Sequence, residues 1–95
     1  MQKAPSAADA MRLTDLPNIG KSIAGDLEGL GIRHPAQLIG VDPYALYARI
    51  NRETGMRHDP CLCDTFIAAV RFMEGGPPHP WWNFTAERKR HFGQT

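Results

Sequence analysis

A chain of 95 residues with 42% hydrophobic residues, nine glycines and eight prolines has the composition of one folded domain with short, often interrupted helices, and leaves no room for a separate catalytic domain. Its net charge of +1 is spread as zero over residues 1–40, −1 over 41–74 and +2 over 75–95, which argues against a strong free-standing nucleic-acid binder, whose footprint is visibly basic. No run approaches the ~20 apolar residues of a membrane span, the start Met1-Gln2-Lys3-Ala4-Pro5 lacks the apolar stretch of a secretion signal, and Cys61 and Cys63 lie too close together to close a loop, so a cytoplasmic, reducing address is expected.

Residues 1–12 are small and polar and read as a flexible arm ahead of a single domain over 13–92, with 93–95 as a tail. Thr14 is a plausible N-cap for a first helical turn, Thr14-Asp15-Leu16-Pro17, leading into a tight turn at 18–20. A helix over about 21–30 follows, with Ile23, Ala24, Leu27 and Leu30 on one buried face. It stops at Gly31, and Leu30-Gly31-Ile32 reads as a C-cap glycine followed by an apolar residue that folds back.

Pro35 starts a further turn or two that Gly40 ends, with Leu38 and Ile39 assigned to the core. Asp42-Pro43 is an N-cap followed by proline at the first helical position, opening a helix with Leu46, Tyr47 and Ile50 on one side. Asn51 to His58 reads as a polar connection. Asp59-Pro60 repeats the start device for a longer helix carrying Leu62, Phe66, Ala69, Val70 and Met73. Glu74 to Pro80 must be extended, and Trp81-Trp82-Asn83-Phe84 offers enough apolar area to pin it onto the helices, with one of the two indoles left exposed. Thr85, Glu87 and Arg88 suggest a last short helix.

The chemistry points to the turn. The first N–H groups of a helix lack internal partners and lie at the positive end of its dipole, so a helix entered from a glycine turn is a seat for phosphate. Asn18 tolerates the left-handed backbone such a turn requires, Gly20 allows close approach, and Lys21 adds a full charge. Asn18, Ile19, Gly20, Lys21 and Ser22 are therefore the candidate phosphate-binding residues, with Arg88, Lys89 and Arg90 as a secondary basic group.

Leu16-Pro17-Asn18-Ile19-Gly20-Lys21-Ser22-Ile23-Ala24 resembles the helix-hairpin-helix motif, which grips a nucleic-acid backbone without reading bases. It departs from that pattern at Asn18, where a glycine is commonest, and at Lys21, where a proline is frequent. Together with Leu30-Gly31-Ile32, Asp42-Pro43-Tyr44-Ala45-Leu46-Tyr47, Asp59-Pro60-Cys61 and Trp81-Trp82-Asn83-Phe84-Thr85, it resembles the small bacterial pathogenicity locus family, also labelled mitomycin-resistance proteins, over roughly residues 12 to 90. The turn and the Leu-Gly-Ile cap are also similar to the C-terminal domain of bacterial competence regulators. The resemblance implies an all-α fold of the SAM-like kind, a compact bundle of about five short helices built around the motif, with an extended Pro/Trp-rich C-terminal segment packed on it. It also implies a DNA-binding role linked to DNA repair or stress resistance.

Other constellations are weaker. His58, Cys61 and Cys63 lack paired zinc-ligand spacing, and one cysteine is read as core while the other sits near a helix start, where the dipole lowers a thiol pKa. His34 beside Pro35 reads as a capping or surface residue. Trp81 and Trp82 could stack on bases, but core packing is the better reading. No nucleotide-hydrolase loop, serine elbow or acid pair is present, so a non-enzyme with no cofactor and no metal is expected. The partner is the DNA phosphate backbone, bound weakly by one copy, with a protein partner or a homodimer as further partners and no membrane. The alternative is a protein-interaction or regulatory module that keeps the hairpin only as architecture.

Overall fold

Two of the three longest helices begin where an aspartate precedes a proline. In the computed structural model, which describes residues 3–93, α1 spans Lys21–Gly29, α2 Pro43–Thr54, α3 Pro60–Met73 and α4 Thr85–His91, with 3-10 turns at Ala7–Asp9, Leu13–Asp15, Pro35–Leu38 and Trp81–Phe84. No strand occurs among the described residues. At α2 the Asp42 carboxylate accepts from Tyr44 N–H at 2.9 Å, and at α3 Asp59 accepts from Cys61 N–H at 2.8 Å. Each satisfies an orphan donor while the proline occupies a position that needs none.

Helix α1 ends as its sequence dictates. Gly31 has φ +87, Ile32 N–H donates to Leu27 O at 3.0 Å and Gly31 N–H to Glu28 O at 2.9 Å. This is a Schellman cap, and Ile32 is buried beside it.

The spine is α3. It is buried almost throughout from Cys63 to Met73, and α2, α4 and the turns at 35–38 and 81–84 pack around it. Phe66, Ile67 and Phe72 face a core completed by Leu13, Leu16, Ile19, Leu27, Leu38, Leu46 and Ile50. The radius of gyration, 12.5 Å, matches the roughly 12 Å of a well-packed chain of this length.

Several expectations need correction. Residues 3–12 are not a loose arm, because Ala4 and Ala10 are buried and Ala4 N–H donates to Asp15 O at 2.9 Å. Thr14 lies inside its 3-10 turn rather than capping it. Asp15 Oδ2 instead reaches back to accept from Arg12 N–H at 2.9 Å and Met11 N–H at 3.0 Å. Ile39 is 56% exposed while Leu38 is buried, since a tight 3-10 turn can send only one of two neighbours inward. The expected connection after residue 50 is helical as far as Thr54. An Arg49–Glu53 pair at 2.6 Å supports that last stretch, and Gly55, in the left-handed conformation, stops it. Residues 1–2 of the expected arm and 94–95 of the expected tail lie outside the described residues.

The C-terminal segment has no helix from Gly76 to Pro80, and the turn and helix that follow it dock through polar as well as apolar groups. Arg71 on α3 holds Glu87 at 2.6 and 3.2 Å, and Tyr44 OH donates to the same carboxylate at 3.1 Å. Burial and Glu87 push the Tyr44 hydroxyl up to about 12, which keeps it a donor. Burial also raises the Glu87 carboxyl, but Arg71 and Tyr44 outweigh it and the net shift is below the ordinary 4.5. A carboxyl lowered on folding contributes stability that is complete above its unfolded pKa and is lost as pH falls through its folded one. The docked tail is accordingly expected to weaken as pH drops below about 4.5. Comparing acid unfolding of the parent and Glu87→Gln checks this, the variant showing a flatter pH dependence in that window.

Candidate nucleic-acid interface

Leu16 to Ile19 form a tight turn in which Ile19 N–H donates to Leu16 O at 3.2 Å. Pro17 at the second position and Asn18 at the third, with φ 67, are the residues a type II turn selects. Leu16 and Ile19 are both 0% exposed and Pro17 is buried. The apolar side chains thus anchor the turn from below and leave backbone on its outer surface.

That surface ends at the N-terminus of α1. Ala24 N–H closes the first helical bond on Gly20 O at 2.9 Å. The four preceding N–H groups, of Gly20, Lys21, Ser22 and Ile23, find no acceptor among the described residues, and no side chain caps the helix. Gly20, Lys21 and Ser22 are exposed, and Lys21 has no acidic partner among the described residues. Gly20 itself has an extended backbone, φ −99, which any residue could adopt. A Cβ there would meet nothing within 4 Å. Its contribution is the open approach to the amides beside it, not a strained backbone.

Two features fix the turn from outside. Lys3 Nζ donates to Thr14 O at 2.8 Å and Ile19 O at 2.6 Å, tying the N-terminal segment to the turn and leaving a positive charge next to it. Partial burial lowers the Lys3 pKa, partly offset by Asp15. Asn18 Nδ2 donates to His79 O at 2.9 Å, which brings the C-terminal segment alongside. The segment touches the turn at Asn18 without covering Gly20, Lys21 or Ser22.

Of the secondary basic residues, Lys89 and Arg90 are exposed but Arg88 is not. Arg88 is 7% exposed, and its Nε donates to Asp64 Oδ1 at 2.9 Å, with Nη2 at 3.4 Å from Oδ2. It belongs to the packing of α4 on α3 and not to a basic surface. The indoles divide unequally, with Trp82 62% exposed and Trp81 half-buried. His34 caps its turn, Nδ1 accepting from Ala36 N–H at 3.1 Å. His58 N–H donates to Asn51 Oδ1 at 2.8 Å, and Tyr47 OH donates to the His58 carbonyl.

The cysteines correct one expectation. Burial, then the Asp59 carboxylate that caps α3, push the Cys61 thiol up rather than down. Burial followed by the charge of Asp64 pushes Cys63 to about 12. The capping carboxylate offsets the helix dipole that otherwise favours a thiolate. Both thiols are expected to react with a disulfide reagent at neutral pH more slowly than free cysteine, Cys63 only on unfolding; a fast-reacting native thiol contradicts this. Among the described residues no group of three or more His, Cys, Asp or Glu is arranged to hold a metal ion, and no helix is long and apolar enough to cross a membrane.

The sequence profile of the pathogenicity locus family, Cdd1, matches residues 6–90, from the segment ahead of the turn through the body of α4. The mitomycin resistance protein McrB of Streptomyces lavendulae is similar, 47% identical over 85 residues, a stretch covering 90% of this chain and 81% of that protein. No solved structure matches. With the profile spanning the turn, α3 and the docked C-terminal segment together, the chain belongs to the pathogenicity locus family.

Proposed function

We propose that this protein is a small module that binds the DNA phosphate backbone without reading sequence, through a helix-hairpin-helix formed by the 3-10 turn Leu13–Asp15, the turn at 16–19 and α1. The observation that carries this reading is the row of N–H groups from Gly20 to Ile23 that find no acceptor among the described residues, at a helix N-terminus where Gly20, Lys21 and Ser22 are exposed and Lys21 has no acidic partner among those residues. Phosphate oxygens complete those donors and are favoured there by the helix dipole. Asn18 supplies the left-handed turn and Ile19 its anchor, while Gly20, Lys21 and Ser22 present the contacts. Lys89 and Arg90 give secondary support. Protein–phosphate contacts position a duplex and carry no base information, so the chain acts by binding and not by catalysis.

A single hairpin neutralises few phosphates, and the chain's net charge is only +1. Affinity is therefore at the weak, salt-sensitive end of non-specific binding, ~10⁻⁴ to 10⁻⁶ M. The relative's name assigns that protein to mitomycin resistance, which suits a role for this chain in DNA repair or stress resistance. Titration of a labelled duplex at about 50 and about 200 mM salt tests the reading, with Lys21→Glu as comparison. The variant is expected to bind every sequence more weakly, with a salt slope smaller by about 1. Equal binding by parent and variant removes the hairpin from the explanation and leaves it as architecture in a protein-interaction module.

A further inference from the structure

Trp82 is 62% exposed and presents a broad aromatic face to solvent. Its neighbourhood is ordered. The 3-10 turn Trp81–Phe84 runs directly into α4, Thr85 having helical backbone angles of −61° and −43°. The inward face of this continuous segment carries Phe84, Thr85 and Arg88, with Thr85 Oγ1 donating to Asp64 at 2.8 Å and Arg88 paired to the same carboxylate. The outward face carries Trp82, Ala86, Lys89 and Arg90, all exposed, at the one- and two-turn spacing that aligns side chains on a helix. The Trp81 ring stands at 84° to the Trp82 ring with centroids 5.5 Å apart, which restricts how the indole can turn.

The Trp82 end of this segment lies near the hairpin. His79 O is bound to the Asn18 side chain, and Trp82 lies three Cα steps from His79, so their Cα atoms are at most about 11 Å apart. An exposed aromatic ring among basic side chains is the arrangement on which unpaired bases stack, because every base has a π-face and the phosphates between bases need cations. A base inside an uninterrupted duplex has no free face to offer.

Resting on the backbone-binding reading above, we infer that Trp82 is a stacking platform for an unpaired base, with Lys89 and Arg90 taking the adjoining phosphates, and that the preferred ligand is DNA in which a duplex adjoins a single-stranded segment. Stacking adds a contribution that does not depend on net charge, which a nearly neutral protein with few phosphate contacts otherwise lacks.

The test compares a plain duplex with the same duplex carrying an extension of about five unpaired nucleotides, against the parent, Trp82→Ala, Trp82→Phe and Lys21→Glu. The extension is expected to tighten binding by the parent about tenfold. Trp82→Ala should lose that gain while binding the plain duplex unchanged, Trp82→Phe should keep most of it, and Lys21→Glu should weaken both ligands. Equal affinity of the parent for the two ligands, or a gain that survives in Trp82→Ala, overturns the stacking site. If that happens while Lys21→Glu still weakens the duplex, the hairpin reading stands alone. Duplex binding by the parent that Lys21→Glu leaves unchanged overturns the hairpin reading, and absence of binding to both ligands overturns the two together.

Discussion

Replacing Arg88 by Met is expected to destabilise the protein by about 3–5 kcal/mol, because it leaves a carboxylate stranded in the interior. The Asp64 side chain is 0% exposed and that of Arg88 9%. Among the described residues, the Thr85 hydroxyl, at 2.8 Å, is the one side chain besides the guanidinium that hydrogen-bonds to that carboxylate. The hydrogen bonds to Asp64 raise the Arg88 pKa further despite its burial, so the guanidinium stays charged. A loss this size is a large share of the ~5–15 kcal/mol that stabilises a domain of this kind. The double variant Asp64→Leu with Arg88→Met removes both charges and should recover most of the loss, since a buried pair contributes little over a well-packed apolar replacement. Urea unfolding of the three proteins measures it. A single variant that loses under about 1 kcal/mol would show that water reaches Asp64 and that α4 is not tied to α3 in this way.

A comparable loss, about 3–5 kcal/mol, is expected for Phe66→Ala. Phe66 is 1% exposed in the middle of α3, the helix against which α2, α4 and the turns at 35–38 and 81–84 all pack. A cavity there cannot be filled by collapse from one side without pulling another element off its seat. Phe66→Leu restores most of the volume and should cost no more than about 1.5 kcal/mol. If the alanine variant matches the leucine variant in urea unfolding, the region around Phe66 is loosely packed and α3 is not the spine described.

The starts of α2 and α3 and the end of α1 were legible because local chemistry determines them. Asp42-Pro43, Asp59-Pro60 and Gly31 act on the residues next to them, and nothing distant overrides them. The turn was legible for the same reason, since Pro17 and Asn18 select one backbone path. What could not be read depends on distant partners. Asp64 gave one usable signal, a lone acid in the apolar run from Cys63 to Met73, which demands a buried cation; only the fold says that the cation is Arg88, and so removes it from the basic surface. Lys3 reaches Thr14 and Ile19 across eleven and sixteen residues, a connection no periodicity encodes. Ala4 and Ala10 are buried but too small to mark an apolar face. The last turn of α2 was hidden by its polar surface, where Arg49 and Glu53 pair with each other and not with the core.

The binding residues divide in the same way. Gly20, Lys21 and Ser22 were identified from the general behaviour of helix N-termini, and they are exposed as that argument requires. One of the two indoles was expected to pack and the other to stay exposed, and which is which could not be read from adjacent identical residues. Trp81 is half-buried and Trp82 is the exposed one, the tail being held further by Phe84, Glu87 and Arg88.

Amide NMR shifts recorded while a short duplex is added test the central claim most directly. The amides of Gly20, Lys21, Ser22 and Ile23 are predicted to move progressively and together, and the three outside position 21 to move less at the same duplex concentration in Lys21→Glu. Duplex binding that leaves those four resonances in place while others shift would contradict the account.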